Sequence, residues 1–202
     1  MICKRIVDLS ISIVGLFLLL PALLIIALAI IILMPDGPVL FKQSRVGKEG
    51  KHFIMYKFRT MVKNQDNNFI SIAGEKRITP LGAILRKYKL DELPELWNVI
   101  KGDMSLVGPR PDVPGYADQL TDDARILLSV KPGITSPASL KYINEEELLA
   151  VINNPRKYND DVIWPDKVRI NINYINNWSF WLDLKIIFYT ILGRKLKDSW
   201  AQ

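Results

Sequence analysis

Two adjacent carboxylates, Asp91 and Glu92, lie between basic residues near the centre of the sequence. Arg86 precedes the pair, and Arg110 follows it within the proline-rich turn of residues 108–111. A carboxylate can attack phosphorus and form a covalent acyl phosphate, and carboxylate oxygens also bind divalent cations. Such a site must neutralise an anionic substrate, which the two arginines can do. The pattern therefore predicts a site for a phosphate group and a divalent cation.

The residues after the pair predict a helix that would hold it in place. Pro94 suits a first helical turn, and Gly102 suits a helix end. Apolar residues recur between them with helical spacing at Leu93, Leu96, Trp97 and Ile100. The N-terminus of this helix would favour the negative charge of the carboxylates and of a phosphate. A purely structural alternative is that Asp91 only caps the helix and Glu92 only interacts with its dipole.

A long apolar segment precedes the site, because residues 9–34 contain no charged side chain over 26 positions. This length is enough to cross a bilayer as a helix. Basic residues flank the segment on both sides, which favours keeping both ends on the cytoplasmic side; they are Lys4, Arg5, Lys42, Arg45, Lys48 and Lys51. Pro21, near the middle, removes a helical hydrogen bond. We therefore predict that residues 1–35 form a re-entrant membrane helix broken near Pro21, with a fully spanning helix as the alternative.

Composition narrows the classes of function. The chain has 202 residues, a net charge of +6 and 49% hydrophobic residues, which suits a protein that binds a membrane surface or a phosphorylated ligand. The sequence contains no nucleic-acid-binding motif, so nucleic acid is not an expected partner. Cys3 is the only cysteine, which excludes an intrachain disulfide. His52 is the only histidine, which argues against a histidine-rich metal site or a histidine-dependent triad.

Residues 36–202 predict a mostly helical domain with a small β-hairpin, so the fold class is α+β. The hairpin strands are predicted at residues 39–41 and 53–56, around a glycine-flanked turn at 47–50. A polar loop is predicted at 64–76, and further segments, mostly helical, at 79–88, 116–128, 144–151, 166–177 and 179–196. The aromatic and basic C-terminal segment suits either an amphipathic helix at the membrane interface or packing in the core.

Two cations of the second predicted strand, Lys57 and Arg59, alternate with aromatic residues and would therefore share one face. That face could contact a phosphate or a lipid headgroup. It could equally be an ordinary solvated strand face.

The segment LDELPELWNVIKGDMSLVGPRP resembles the signature of the bacterial sugar transferases, the monotopic phosphoglycosyl transferases that initiate glycoconjugate pathways. The resemblance extends to KRIVDLS, the long apolar segment, FKQSRVGKEGKHFIMYKFRTM, LGAILRKYKLDELP, VKPGIT and WSFWLDLKII. It therefore covers most of the chain, and the combination of motifs is highly specific.

The resemblance implies an enzyme of the bacterial inner membrane, with a re-entrant helix and a catalytic domain on the cytoplasmic face. Asp91 would be the nucleophile, and Glu92 the second member of a dyad that binds Mg²⁺. A UDP-sugar would transfer its sugar-1-phosphate to Asp91 and release UMP. A polyprenyl phosphate in the bilayer, typically undecaprenyl phosphate, would then accept the phosphosugar. The cations expected to bind the substrates are Arg86, Arg110, Lys57, Arg59, Lys141, Lys4 and Arg5.

Two departures from the family pattern concern substrate recognition. Many members continue PGIT with GLAQVNGR, whereas residues 136–142 here are SPASLKY, so the arginine of that segment is absent and Lys141 is the nearest cation. Many members also have Asp at the position of Asn171. Both changes leave the acidic dyad intact, and neither allows a sugar to be assigned.

Two other classes of function compete with the transferase hypothesis. The first is a membrane-anchored basic module that binds acidic headgroups without turnover. The second is another metal-dependent enzyme acting on lipid diphosphates, such as a phosphatase or an inverting glycosyltransferase. The products distinguish the enzymes, because phosphosugar transfer releases UMP, glycosyl transfer releases UDP and hydrolysis releases inorganic phosphate.

Overall fold

The computed structural model describes residues 2–62 and 77–194. The predicted polar loop at 64–76 and the end of the last predicted segment, after residue 194, lie outside the described residues. The described residues form helices around two small two-stranded sheets, which confirms the α+β prediction.

The N-terminal segment is a single long helix, α1 (Ile2–Leu33), which contains Pro21. Most of its apolar side chains point outward, including Phe17 at 77% and Ile25 at 69% exposure, and it is long and apolar enough to cross a membrane. The helix continues through Pro21, so the predicted break does not appear as an interruption of the helix. The re-entrant course stays a prediction.

The N-terminal half of α1 is bound to the rest of the domain by polar contacts. Asp8 is buried and accepts hydrogen bonds from the Ser105 hydroxyl at 2.7 Å and from the Leu106 amide at 3.1 Å. Lys4 forms an ion pair with Asp183, with 2.5 Å between Nζ and Oδ2. The buried charge of Asp8 needs such partners, because an unpaired buried charge is unfavourable. These contacts fix the start of α1 against the domain.

The C-terminal half of α1 packs through apolar side chains. Ile30 and Met34 form a buried cluster with Phe58 and Leu85.

The first of the two sheets follows, a hairpin of β1 (Leu40–Val46) and β2 (His52–Phe58). Its antiparallel register pairs Leu40 with Phe58 and Val46 with His52. The predicted hairpin is confirmed, and its strands are longer than predicted.

The second sheet was not predicted and consists of two short parallel strands, β3 (Ser105–Val107) and β4 (Gly133–Thr135). Gly108 donates from its amide to the Thr135 carbonyl at 3.0 Å, and Gly133 donates to the Pro109 carbonyl at 2.9 Å. A Cβ atom at Gly133 would lie only 2.1 Å from the Gly108 nitrogen, so only glycine permits this approach. The GPRP and KPGIT motifs are therefore two halves of one backbone junction, from which Arg110 projects.

The remaining α-helices are short, apart from the two near the C-terminus. They are α2 (Pro80–Lys87), α3 (Glu95–Lys101), α4 (Pro137–Lys141), α5 (Glu145–Ala150), α6 (Pro155–Tyr158), α7 (Trp164–Asn176) and α8 (Phe180–Ile191). The predicted helix at 116–128 is wrong. Two 3₁₀ segments, Ala117–Gln119 and Asp122–Ser129, replace it, because Leu120 is extended and Asp122 has a φ of +48°. A π-helical turn, Asn159–Ile163, leads into α7.

The last helix, α8, packs in the core with one face, so core packing accounts for part of the aromatic C-terminal segment, and a role at the membrane interface stays a prediction. Leu182 and Ile186 are buried in the main core, together with Val99 of α3. The opposite side exposes Trp181 at 77% and Ile191 at 78%. The helix therefore packs on the domain with one face and leaves an apolar face uncovered.

Candidate active site

The acidic pair lies in a 3₁₀ turn, Leu90–Glu92, and both of its carboxylates are buried. The preceding residue, Lys89, has a left-handed backbone conformation with φ at +56°. Non-glycine residues rarely adopt this conformation, and it is often found where a functional site constrains the chain. The helix α3 begins at Glu95, so the dyad lies in the 3₁₀ turn that leads into the N-terminus of this helix rather than in its first turn.

The face of α3 that is buried differs from the predicted one. Glu95, Asn98 and Val99 are almost fully buried, whereas Trp97 of the predicted apolar face is 51% exposed. Asn98 accepts a hydrogen bond from the Tyr56 amide at 3.1 Å, and its amide donates to the Ile54 carbonyl at 2.7 Å. The Asn98 side chain thereby pairs with β2 as a neighbouring strand would, and it fixes α3 against that strand.

Lys57 of β2 lies between two carboxylates of this region. Its Nζ atom is 2.9 Å from Glu92 Oε1 and 3.3 Å from Glu95 Oε1. Burial raises the pKa of Glu95 to about 7, although the Lys57 charge acts in the opposite direction. Glu95 was not singled out in the sequence, since a glutamate in the first turn of a helix is ordinarily solvated.

Arg110 binds Glu92 with both terminal nitrogens of its guanidinium. Nη1 donates to Oε2 at 3.0 Å, and Nη2 donates to Oε1. Burial alone would raise the pKa of Glu92, but the charges of Arg110 and Lys57 outweigh it and hold the pKa well below its usual range. Glu92 is therefore an ionised carboxylate with a fixed orientation.

Asp91 is the less restrained member of the pair. Its side chain is buried, with a relative exposure of 7%, and Oδ1 has no hydrogen-bond partner among the described residues. Burial, and then the charge of Glu92, raise the pKa of Asp91, while Lys57 and Arg86 act against this rise. A desolvated carboxylate with an unused oxygen atom is a stronger nucleophile than a hydrogen-bonded one, provided that nearby cations keep it ionised.

Arg86 of α2 contributes to this charge balance without binding the dyad directly. Its Nη2 atom pairs with Glu146 of α5, and its buried Nε atom has no partner among the described residues. Glu146, near the start of α5, is thus a specific partner of Arg86.

Four other cations predicted to bind substrate make contacts within the protein. Arg59 donates to the carbonyls of Met34, Gly37 and Pro38, which follow or end α1. Arg5 donates to the carbonyls of Val99 and Ile100 at the end of α3, at 2.6 and 3.0 Å. These two arginines cap helix ends. Lys4 pairs with Asp183, as described above. Lys141 pairs with Asp166 at 2.7 Å, and a role of these four in substrate binding stays a prediction.

The chain belongs to the bacterial sugar transferase family. The family model for bacterial sugar transferases matches residues 1–195, and the resemblance inferred from the motifs is confirmed. The sequence is 39% identical over 193 residues to the uncharacterized sugar transferase EpsL of Bacillus subtilis, covering 95% of this chain and 86% of EpsL.

Longer relatives carry names that specify a reaction. A UDP-glucose:undecaprenyl-phosphate glucose-1-phosphate transferase of Klebsiella pneumoniae is 39% identical over 197 residues, which cover 95% of this chain and 40% of that protein. A UDP-N-acetylgalactosamine-undecaprenyl-phosphate N-acetylgalactosaminephosphotransferase of Aeromonas hydrophila is 36% identical over 193 residues, which cover 93% and 42%. The chain thus spans about two fifths of the length of these two relatives.

The positions at which this sugar transferase departs from the family pattern lie on α4 and α7. Ser136 caps α4 by accepting a hydrogen bond from the Ser139 amide at 3.0 Å. Asn171 is buried on α7, and its Oδ1 atom has no hydrogen-bond partner among the described residues. The segment that stands in place of GLAQVNGR is therefore a capped helix.

The dyad is the predicted site of a divalent cation. The described residues contain no group of three or more His, Cys, Asp or Glu side chains arranged to bind a metal ion. Mg²⁺ does not need such a group, because it commonly binds one or two carboxylates and fills its other positions with water and substrate phosphates. The unpaired Oδ1 atom of buried Asp91, next to Glu92, fits this mode of binding.

Proposed function

We propose that this chain is a phosphoglycosyl transferase. It transfers sugar-1-phosphate from a UDP-sugar to polyprenyl phosphate, typically undecaprenyl phosphate, and releases UMP as the initiating step of glycoconjugate assembly. Family membership and the names of the relatives support the reaction class. The observation that carries the mechanism is the asymmetric dyad, in which Arg110 and Lys57 bind Glu92 while Asp91 keeps an unpaired oxygen.

In the first half-reaction, the Asp91 carboxylate attacks the phosphorus atom that bears the sugar. A bond forms between Asp91 and this phosphorus, and the bond from the phosphorus to the bridging oxygen of the diphosphate breaks. UMP leaves with that oxygen and its electron pair. The product on the protein is an aspartyl-phosphosugar, and no proton needs to be transferred.

The protein contributes positive charge where the anionic groups meet. Arg110 and Lys57 keep Glu92 ionised and oriented, and the charge of Arg86 acts on Asp91 from α2. Asp91 and Glu92 would hold Mg²⁺, which supplies charge neutralisation to phosphoryl oxygens when bound. Neutralisation is needed because a carboxylate and a diphosphate otherwise repel each other.

In the second half-reaction, an oxygen of the lipid phosphate attacks the same phosphorus and regenerates the Asp91 carboxylate. The dyad is suitably situated for a substrate in the bilayer, because Leu90, directly before Asp91, packs against the apolar cluster formed with the C-terminal half of α1. The exposed apolar faces of α1 and α8 support insertion into the membrane and contact with its interface.

The contacts of α1 support a course in which both of its ends lie on the side of the domain, and the basic flanks favour the cytoplasmic side of the inner membrane. Lys4 near its start and Met34 just after its end both contact the same domain. We expect exposed Cys3, and a cysteine introduced at Ser44, to react with a membrane-impermeant thiol reagent only from the cytoplasmic side. Pro21→Leu should favour a spanning form, because it restores a backbone hydrogen bond in lipid. Labelling of Cys3 from the periplasm in the unaltered protein would contradict the re-entrant course.

The proposed reaction is tested by identifying the product released with each of several UDP-sugars. The full-length chain in detergent, with polyprenyl phosphate and Mg²⁺, should release UMP with at least one of them. Release of UDP would indicate glycosyl transfer, and inorganic phosphate would indicate a phosphatase. Binding of acidic lipids without release of any product would indicate a membrane-anchoring module.

A further inference from the structure

A second arginine, Arg45, contacts the turn that carries Arg110 and was not included among the expected substrate-binding residues. It is the penultimate residue of β1, within the FKQSRVGKEGKHF motif. Its Nη1 atom donates to the Pro111 carbonyl at 3.1 Å, and the next residue, Val46, donates from its amide to the Asp112 carbonyl at 2.9 Å. The end of β1 is thereby fixed against the turn that carries Arg110.

The charge of Arg45 is not neutralised by direct contact with an acid. Its Nη2 atom donates to the neutral Gln43 side chain at 2.7 Å, and its buried Nε atom has no hydrogen-bond partner among the described residues. No carboxylate of residues 2–62 or 77–194 lies within ion-pair distance of it. Arg45 differs in this respect from Arg110, whose guanidinium is bound to Glu92.

Two guanidinium groups in a partly desolvated region repel each other. Burial, and then the like charge of Arg110, lower the pKa of Arg45 to about 10. Asp112, Glu95 and Glu92 attract Arg45 at longer range without contacting it. An uncompensated charge in such a position is unfavourable unless an anion binds there. Guanidinium groups are well suited to phosphate oxygens, because their donors form a planar fork.

We propose that Arg45 and Arg110 together form a binding site for the diphosphate group of the nucleotide-sugar. Arg110 is held by Glu92, and Arg45 provides the guanidinium that has no acidic partner. This inference rests on the proposed function, and it assigns a role to a motif that the dyad chemistry does not explain. It implies that Arg45 contributes to binding through phosphate oxygens and not through the nucleoside.

The test is to measure the dissociation constants of UDP and of inorganic pyrophosphate with Mg²⁺ for the full-length chain in detergent. Arg45→Gln should weaken both by about tenfold or more, since a hydrogen bond to a charged group is lost. Arg45→Lys should weaken both by less, because it keeps the charge but not the fork. The matched control is Lys42→Gln, which removes the same charge from an exposed position on the same strand and should change both constants by less than about twofold.

Several outcomes would overturn the proposal. Unchanged affinity for both ligands, with a lower thermal midpoint, would make Arg45 a structural link between β1 and the turn. Weaker binding of UDP with unchanged binding of pyrophosphate would exclude contact with the diphosphate. If Arg45→Gln fails to fold, the dissociation constants of UDP and pyrophosphate are compared between Arg45→Lys and the unaltered protein instead. Unchanged binding of either ligand would then overturn the proposal. These results remain distinguishable from failure of the proposed function, in which the unaltered protein would release no UMP with any UDP-sugar.

Discussion

Replacing Asp91 with asparagine should reduce phosphosugar transfer by about 10⁴-fold or more, the scale seen when a nucleophile is removed. A neutral amide is a poor nucleophile toward phosphorus. The substitution keeps the size of the side chain, and the Oδ1 atom of Asp91 has no hydrogen bond to lose among the described residues. UMP release measures the effect, and the thermal midpoint should remain close to that of the unaltered protein.

The control for Asp91→Asn is Asp161→Asn, the same chemical change at an exposed position in the π-helical turn. It should leave turnover unchanged. If Asp91→Asn retained a substantial fraction of the wild-type rate, Asp91 would not be the nucleophile. A loss of activity accompanied by unfolding would point to a structural role for the buried carboxylate instead.

Arg110→Ala should lower turnover by roughly 10²-fold or more, the loss typical when one preorganised charged group is removed. The substitution removes both hydrogen bonds from Arg110 to Glu92 and leaves Lys57 as the cation in contact with it. Arg86→Ala should have an effect of similar size, because it removes a positive charge that acts on Asp91. Steady-state rates measured with saturating lipid acceptor would quantify both losses.

Arg125→Ala provides the comparison for both arginine variants, since Arg125 is exposed on the 3₁₀ segment Asp122–Ser129. Its rate should match that of the unaltered protein. If each of the single variants Arg110→Ala and Arg86→Ala kept a near wild-type rate, the phosphate site would not lie where we propose it.

The acidic dyad and the hairpin could be predicted because their signals are local. Asp91 and Glu92 lie within a dense motif, and the strands of the hairpin are bounded by a glycine-flanked turn. The parallel pair β3 and β4 could not be predicted in this way, because each strand has only three residues and the two are joined by a long connection. The sequence feature that could have indicated this pair is the presence of two turns, Gly108-Pro109 and Pro132-Gly133, whose glycines meet at the junction.

Helical periodicity identified the apolar residues of α3 but not the direction in which they point. Leu96 faces α1, where a Cβ atom at Gly15 would lie 3.6 Å from it, and Trp97 is exposed. The polar residues Glu95 and Asn98 are buried instead. The backbone of β2 satisfies the Asn98 side chain, and Glu95 lies 3.3 Å from Lys57. In a protein with a long exposed apolar helix, an apolar stripe need not face the core, so periodicity alone cannot assign the buried face.

The arginines show the same limitation of sequence patterns, because a motif does not reveal what a charged side chain contacts. Arg59, Arg5 and Arg110 all lie in family motifs, yet only Arg110 contacts the dyad. Arg59 and Arg5 bind carbonyl groups at helix ends that are distant from them in sequence. Such partners depend on tertiary packing, and a sequence motif does not distinguish an arginine that binds a carboxylate from one that caps a helix.

The most direct test of the mechanism is a single-turnover measurement without lipid acceptor. The full-length chain, incubated with Mg²⁺ and a UDP-sugar that supports turnover, should release at most about one UMP per active site. Its mass should rise by one phosphosugar, and the adduct should map to the peptide that contains Asp91. Asp91→Asn should remove both signals. If instead neither UMP nor an adduct appeared until polyprenyl phosphate was added, the lipid phosphate would attack the UDP-sugar directly, and Asp91 would be at most a metal ligand.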